Sequence, residues 1–142
     1  MRTVAVRARE LRYEVELTAE GELKDENGVG LHAPPEWTPE HLLLAGLVRC
    51  VLKSLRHHAS RSGVEIRPAP GSARTLVTKR VTDGLYAMVE TDVELGVGIE
   101  PEPEPSELAE LLAQAERDCF VGSSLTAKPS YRWTVNGRTI GS

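Results

Sequence analysis

The chain has 142 residues, with 17 Lys and Arg against 21 Asp and Glu for a formal net charge of −4. That length suits one domain, 1–142, able to bury roughly 68–70% of the surface its unfolded form exposes, so folding needs no disulfide staple. The acidic balance argues against a nucleic-acid partner, which requires a basic face, and no apolar run approaches the ~20 residues of a membrane span. The opening Met1-Arg-Thr-Val-Ala-Val-Arg7 lacks a signal peptide's apolar stretch, so a cytoplasmic location with no membrane partner is expected. In that reducing compartment a working cysteine pair is transient, catalytic or redox-sensing.

Thr3 to Arg7 and Tyr13 to Leu17 read as strands, the first β-branched and the second alternating, and together suggest a hairpin. Glu20-Gly21 and Glu26-Asn27-Gly28 are turn signals, followed by a short strand from Val29 to His32 that Ala33-Pro-Pro closes.

Thr38-Pro39-Glu40 is a helix start, combining a hydroxyl cap, proline in the first position and a carboxylate at the positive dipole end. Leu44, Leu47, Val48, Val51, Leu52, Leu55 and Ala59 then form an apolar stripe that runs to the expected cap at Gly63. At roughly 24 residues this helix spans about 36 Å, a length that suits a central element. A second stripe through Leu43, Leu47, Cys50, Ser54 and His57 means burial on two sides, one of which needs a partner helix or partner subunit.

Val64 to Arg67 is a short strand, and the Asp83-Gly84 turn signal joins Thr75–Val81 to Tyr86–Leu95 in a long antiparallel hairpin. The acidic, proline-rich tract from Glu100 to Pro105 reads as a stiff solvated connector into a helix capped by Ser106, with Leu108, Leu111, Leu112, Ala115 and Cys119 on its inner stripe. A last strand from Ser130 to Val135 ends at Asn136-Gly137. The order β-β-β-α-β-β-β-α-β describes an α+β fold: an antiparallel sheet, a long central helix and a second, C-terminal helix. Gly28-Val-Gly30 and Gly96-Val-Gly98 are too short for a phosphate loop, and no cofactor is expected.

Two cysteines, Cys50 and Cys119, are the candidates for chemistry. Taken alone, such a pair reads first as two small buried hydrophobes. A reactive thiol needs nearby positive charge, and a thiol that reduces peroxide also needs a second thiol to resolve the sulfenic acid it forms. Arg49 adjoins Cys50 but points about 100° away on a helix, as a surface charge. His57 and His58 point apart and no Cys-x-x-Cys exists, so no metal site is expected.

The segment Thr38-Pro-Glu-His-Leu-Leu-Leu-Ala-Gly-Leu-Val-Arg-Cys50 resembles the first cysteine signature of the OsmC/Ohr family, and Ala115-Glu-Arg-Asp-Cys119-Phe-Val resembles its second. Element order and the interval between the cysteines agree across the chain, although Phe120 stands where the family has proline and Arg49 where it has a small residue. The resemblance implies an OsmC-like fold in an intertwined homodimer. It further implies a two-cysteine thiol peroxidase that reduces organic hydroperoxides or hydrogen peroxide with a lipoyl-type or other dithiol reductant. It carries over Cys50 as the peroxidatic thiol, Cys119 as the resolving thiol and Glu40 as the carboxylate holding an arginine over the thiolate. That arginine comes from the N-terminal hairpin, where Arg7, Arg9 and Arg12 are available and Arg12 is the choice.

On one continuous helix Glu40 and Cys50 lie about 15 Å apart. Glu40 then serves the other subunit's Cys50, or the helix breaks near Gly46. The competing expectation is a non-catalytic dimeric module on the same scaffold, sensing oxidation or binding a small ligand.

Overall fold

The computed structural model describes residues 8–140. The expected strand from Thr3 to Arg7, and Arg7 itself, lie outside the described residues. The chain divides into two compact units, Met1–Thr38 and Pro39–Ser142.

The described part of the first unit is a three-stranded antiparallel sheet of β1 (Val15–Leu17), β2 (Leu23–Asp25) and β3 (Gly30–Leu31), in that order. Both turn signals are used: Gly21 and Gly28 sit at φ 86° and 84°, where a side chain would be strained. Asp25 tightens the second turn, its Oδ1 accepting from the backbone N–H groups of Asn27 at 2.9 Å and Val29 at 2.8 Å. The segment Leu23–Asp25, which has no strand pattern of its own, becomes β2 because two tight turns return the chain between β1 and β3.

The second unit opens with α1 (Pro39–Arg61), unbroken through Gly46 and followed by Gly63 at φ 75°. Leu47, Val51, Leu55 and Ala59 are buried along it, with Val48 and Leu52 packed at the margin, as the primary stripe predicts. Next come β4 (Glu65–Pro68), β5 (Ser72–Lys79) and the long β6 (Tyr86–Glu100). β6 extends past the expected Leu95 because Gly96 and Gly98 continue the strand as small residues against the chain at Pro70 and Arg67. β5 pairs with its first part and β4 with its last, both antiparallel. On one face of β6, Thr91, Val93, Leu95, Val97 and Ile99 are buried in strict alternation.

The chain then forms α2 (Pro105–Arg117), α3 (Phe120–Ser124), β7 (Ser130–Val135) and β8 (Arg138–Thr139). β7 runs parallel to β6, and the helical segment supplies the crossover that a parallel pair requires. Asn136 and Gly137 turn the chain back into β8, an added edge strand beyond the expected end of the fold. The Asn136 side chain both accepts from Ile99 N–H at 2.9 Å and donates to Ile99 O at 3.1 Å, fastening this turn to β6.

One local expectation is corrected. α2 starts one residue before Ser106, with Pro105 in its first position and Glu104 as cap, whose backbone N–H donates to Glu107 Oε1 at 3.3 Å. The acidic connector is solvent-exposed over most of its length, as expected, and Glu102 ties it to the sheet by pairing with Arg138 and accepting from Asn136 Nδ2 at 2.9 Å.

The core lies where α1 and α2 pack together over the buried face of the sheet. Leu55→Ala is expected to lower stability by about 2–5 kcal/mol through a cavity at a fully buried position. Val81→Ala, at an exposed site, should stay within about 0.5 kcal/mol of the parent in the same urea titration.

Candidate active site

Cys50 is held by α1, three residues beyond the buried Leu47, and its side chain is half-buried at the edge of the core. Cys119 is fully buried. It does not ride on α2, as its stripe position suggests. That helix stops at Arg117, and Cys119 forms the cap of α3 instead. The break brings consecutive backbone amides over the two sulfurs: Val121 N–H donates to Cys50 Sγ at 3.5 Å and Gly122 N–H to Cys119 Sγ at 3.4 Å. The two thiol side chains interact directly, and both are free cysteines. Lys128 secures α3 from its other end, donating to the carbonyls of Ser123 and Leu125 at 2.7 Å each.

Two side-chain ties hold the α2–α3 junction. His58, two turns beyond Cys50 on α1, places Nε2 2.8 Å from Asp118 Oδ2, immediately before Cys119. An ionised carboxylate only accepts, so Nε2 carries the proton. Trp133, buried on β7, donates from Nε1 to Glu116 Oε2 at 2.8 Å, binding the last turn of α2 to the sheet.

Two residues before Trp133 and on the same face of β7, Tyr131 turns its hydroxyl toward Cys119. That oxygen is buried without an aligned hydrogen-bond partner, as is the hydroxyl of Ser54, one turn beyond Cys50 on its stripe. Gly122 makes room for the phenol, because a Cβ at this position would run into Tyr131 Oη.

Burial pushes the Cys119 thiol above its ordinary pKa, the Gly122 amide partly offsets this, and neighbouring Cys50 adds to the rise. Burial, followed by the nearby Cys119, likewise holds the Tyr131 phenol well above its usual range. Cys119 and Tyr131 are therefore neutral proton carriers at pH 7. Chemically, the arrangement joins a more accessible thiol to a buried, protonated one, the asymmetry a reversible disulfide cycle uses.

The structure brings Cys50 and Cys119 together, whereas Glu40, on the same helix as Cys50, stands away from it. Glu40 is exposed in the first turn of α1, and with no break at Gly46 it stands about 15 Å along the axis from its own Cys50. Arg12 belongs to the first unit, where it is exposed and paired with Glu10 at 2.9 Å, and Arg9 is exposed in the same segment. Arg49 is exposed on α1. Sequence reasoning placed Ser54 on the cysteine stripe but missed Tyr131, the His58–Asp118 tie and the Glu116–Trp133 tie. Each joins segments far apart in the chain, and the alternation Tyr131-Trp133-Val135 was the one local signal that Tyr131 faces inward.

Gly122→Ala is expected to cost about 1–3 kcal/mol by overpacking against Tyr131, with most of the loss recovered in the double variant carrying Tyr131→Phe. Arg117 first, and then His58, hold the Asp118 carboxyl below its ordinary pKa, so its contribution is present at neutral pH and fades as pH falls through the depressed value. Asp118→Asn should lower neutral-pH stability by about 0.5–1 kcal/mol, discounted because the carboxylate is partly solvated, and the gap should close in acid. Urea midpoints measured across pH check both expectations.

No curated protein matches the chain. Among solved structures it is similar to an OsmC-like protein of unknown function from Vibrio cholerae, at 14% identity and TM-score 0.68, covering 89% of this chain and 99% of that one. An OsmC-like protein from Mycoplasma pneumoniae shares 16% identity at TM-score 0.61, covering 89% and 97%. An organic hydroperoxide resistance protein from Elizabethkingia anophelis shares 19% identity at TM-score 0.55, covering 89% and 96%. These likenesses establish a shared α+β fold, and with the OsmC-like protein family matched over residues 28–134, the chain belongs to that family.

Proposed function

We propose that this chain is a two-cysteine thiol peroxidase acting on organic hydroperoxides or hydrogen peroxide, with Cys50 as the peroxidatic and Cys119 as the resolving thiol. The observation that carries this reading is the direct contact between a half-buried Cys50 and a fully buried, protonated Cys119. The substrate class draws support from the hydroperoxide resistance protein among the structural neighbours.

In the first step the Cys50 thiolate attacks the O–O bond of the peroxide. Cys50 is oxidised to sulfenic acid, and the leaving alkoxide or hydroxide takes a proton to give alcohol or water. Cys119 then attacks the Cys50 sulfur, forming the S–S bond as the S–O bond breaks and water leaves. An external dithiol, lipoyl-type or other, returns both residues to thiols by exchange. The Val121 amide supplies a hydrogen bond that favours negative charge on Cys50.

The working form in this proposal is a cytoplasmic, intertwined homodimer, with the whole chain acting as one OsmC-like domain and each Cys50 served by Glu40 and Arg12 of the other subunit. The unbroken α1 supports that division of labour, because its length keeps Glu40 away from its own Cys50. Exposed Val15, Leu17, Val29 and Leu31 in the first unit offer apolar surface for such pairing. The family match supports the single-domain reading by running through both units.

Cumene hydroperoxide added to the reduced protein is expected to be consumed and to yield a Cys50–Cys119 disulfide on peptide mapping, whereas Cys50→Ser should lose both. Disulfide formation without catalytic turnover by any dithiol would favour the redox-sensing alternative. The absence of both disulfide and peroxide loss sinks the peroxidase reading. Sedimentation should give a dimer, and Val15→Lys with Leu17→Lys should shift it toward monomer.

A further inference from the structure

Tyr131 has a role that the two-cysteine scheme leaves unassigned. Its ring packs against the core, as that of a phenylalanine would, and its hydroxyl reaches Gly122 of α3. The hydroxyl adds a buried polar atom with no aligned partner, an arrangement that costs stability unless the group is used. It is aimed at a specific place. Tyr131 interacts with the Cys119 sulfur and senses Cys50, and Gly122 leaves room for the phenol while its own N–H donates to the same Cys119 sulfur. A hydroxyl and an amide thus converge on one thiol. Negative charge on Cys119 would be stabilised by both, and that charge develops only when Cys119 gives up its proton to attack.

We propose that Tyr131 is a catalytic residue of the resolving step, its hydroxyl donating a hydrogen bond to the Cys119 sulfur as that thiol attacks the Cys50 sulfenic acid. The inference rests on the peroxidase reading above. In the step, the Cys119 S–H bond breaks, the Cys50–Cys119 S–S bond forms and the Cys50 S–O bond breaks. The proton released by Cys119 ends on the departing hydroxide as water. Tyr131 keeps its own proton throughout, as its raised pKa allows, and acts as a preorganised donor to the charge that passes through Cys119.

The test separates the two chemical steps. In a Cys119→Ser background, the rate at which Cys50 forms a dimedone-trappable sulfenic acid with cumene hydroperoxide should be the same with Tyr131 or Tyr131→Phe. With both cysteines present, Tyr131→Phe should slow closure of the Cys50–Cys119 disulfide about tenfold or more, the effect of losing a hydrogen bond to a charged group. The pH profile of that closure should move to higher pH. A purely packing role for the ring predicts no change in either rate or profile, since phenylalanine preserves the packing, and that outcome overturns the inference. If the parent protein forms no sulfenic acid, the peroxidase reading fails separately. The hydroxyl–sulfur interaction is then decided by NMR titration of Cys119 in Cys50→Ser: Tyr131→Phe should raise its pKa, and an unmoved titration overturns the proposal.

Discussion

Everything at the thiol pair depends on one packing constraint, the burial of Leu47, Val51 and Leu55 of α1 against the alternating face of β6 and the apolar stripe of α2. Each of these side chains is fully excluded from water, so the rotation of α1 about its own axis is set to within the tolerance of a close-packed core. Cys50 stands on the flank of that stripe and inherits its direction from it. A helix free to roll would carry the thiol away from α3, and no local feature around Cys50 would bring it back.

The second thiol is placed by a break. α2 presents Leu108, Leu111, Leu112 and Ala115 to the core, then ends at Arg117, and the chain restarts at Cys119 as a five-residue helix. An uninterrupted helix would commit the amides of Val121 and Gly122 to carbonyls four residues back. The interruption frees them for sulfur, one amide to each cysteine. His58–Asp118 and Glu116–Trp133 clamp the break to α1 and β7, so the junction is held from two directions by groups outside the thiol pair.

Burial also sets the chemical difference between the cysteines. Cys119, wholly enclosed and beside another sulfur, resists ionisation, while the amide of Gly122 and the phenol of Tyr131 act against that resistance. Cys50, half-buried, remains the more open of the two. The contrast between them follows from how deeply this chain's own elements enclose each one.

The sequence by itself determined the elements whose signals are local. Thr38-Pro39-Glu40 and the 3.6-residue stripe specify α1, the alternation up to Leu95 specifies the first part of the buried face of β6, and glycines at positive φ mark the turns at Gly21, Gly28 and Gly84. It also singled out Cys50 and Cys119, through the motifs around each. Tertiary structure alone decided that the two thiols touch, that α2 ends before Cys119, and that Tyr131, contributed by a strand beyond the second cysteine, faces the same sulfur. The reason is physical: periodicity records which face of an element avoids water, whereas contacts between α1, α3 and β7 depend on how three buried faces share one core. A side chain such as His58 acquires a partner 60 positions away only when that packing is complete.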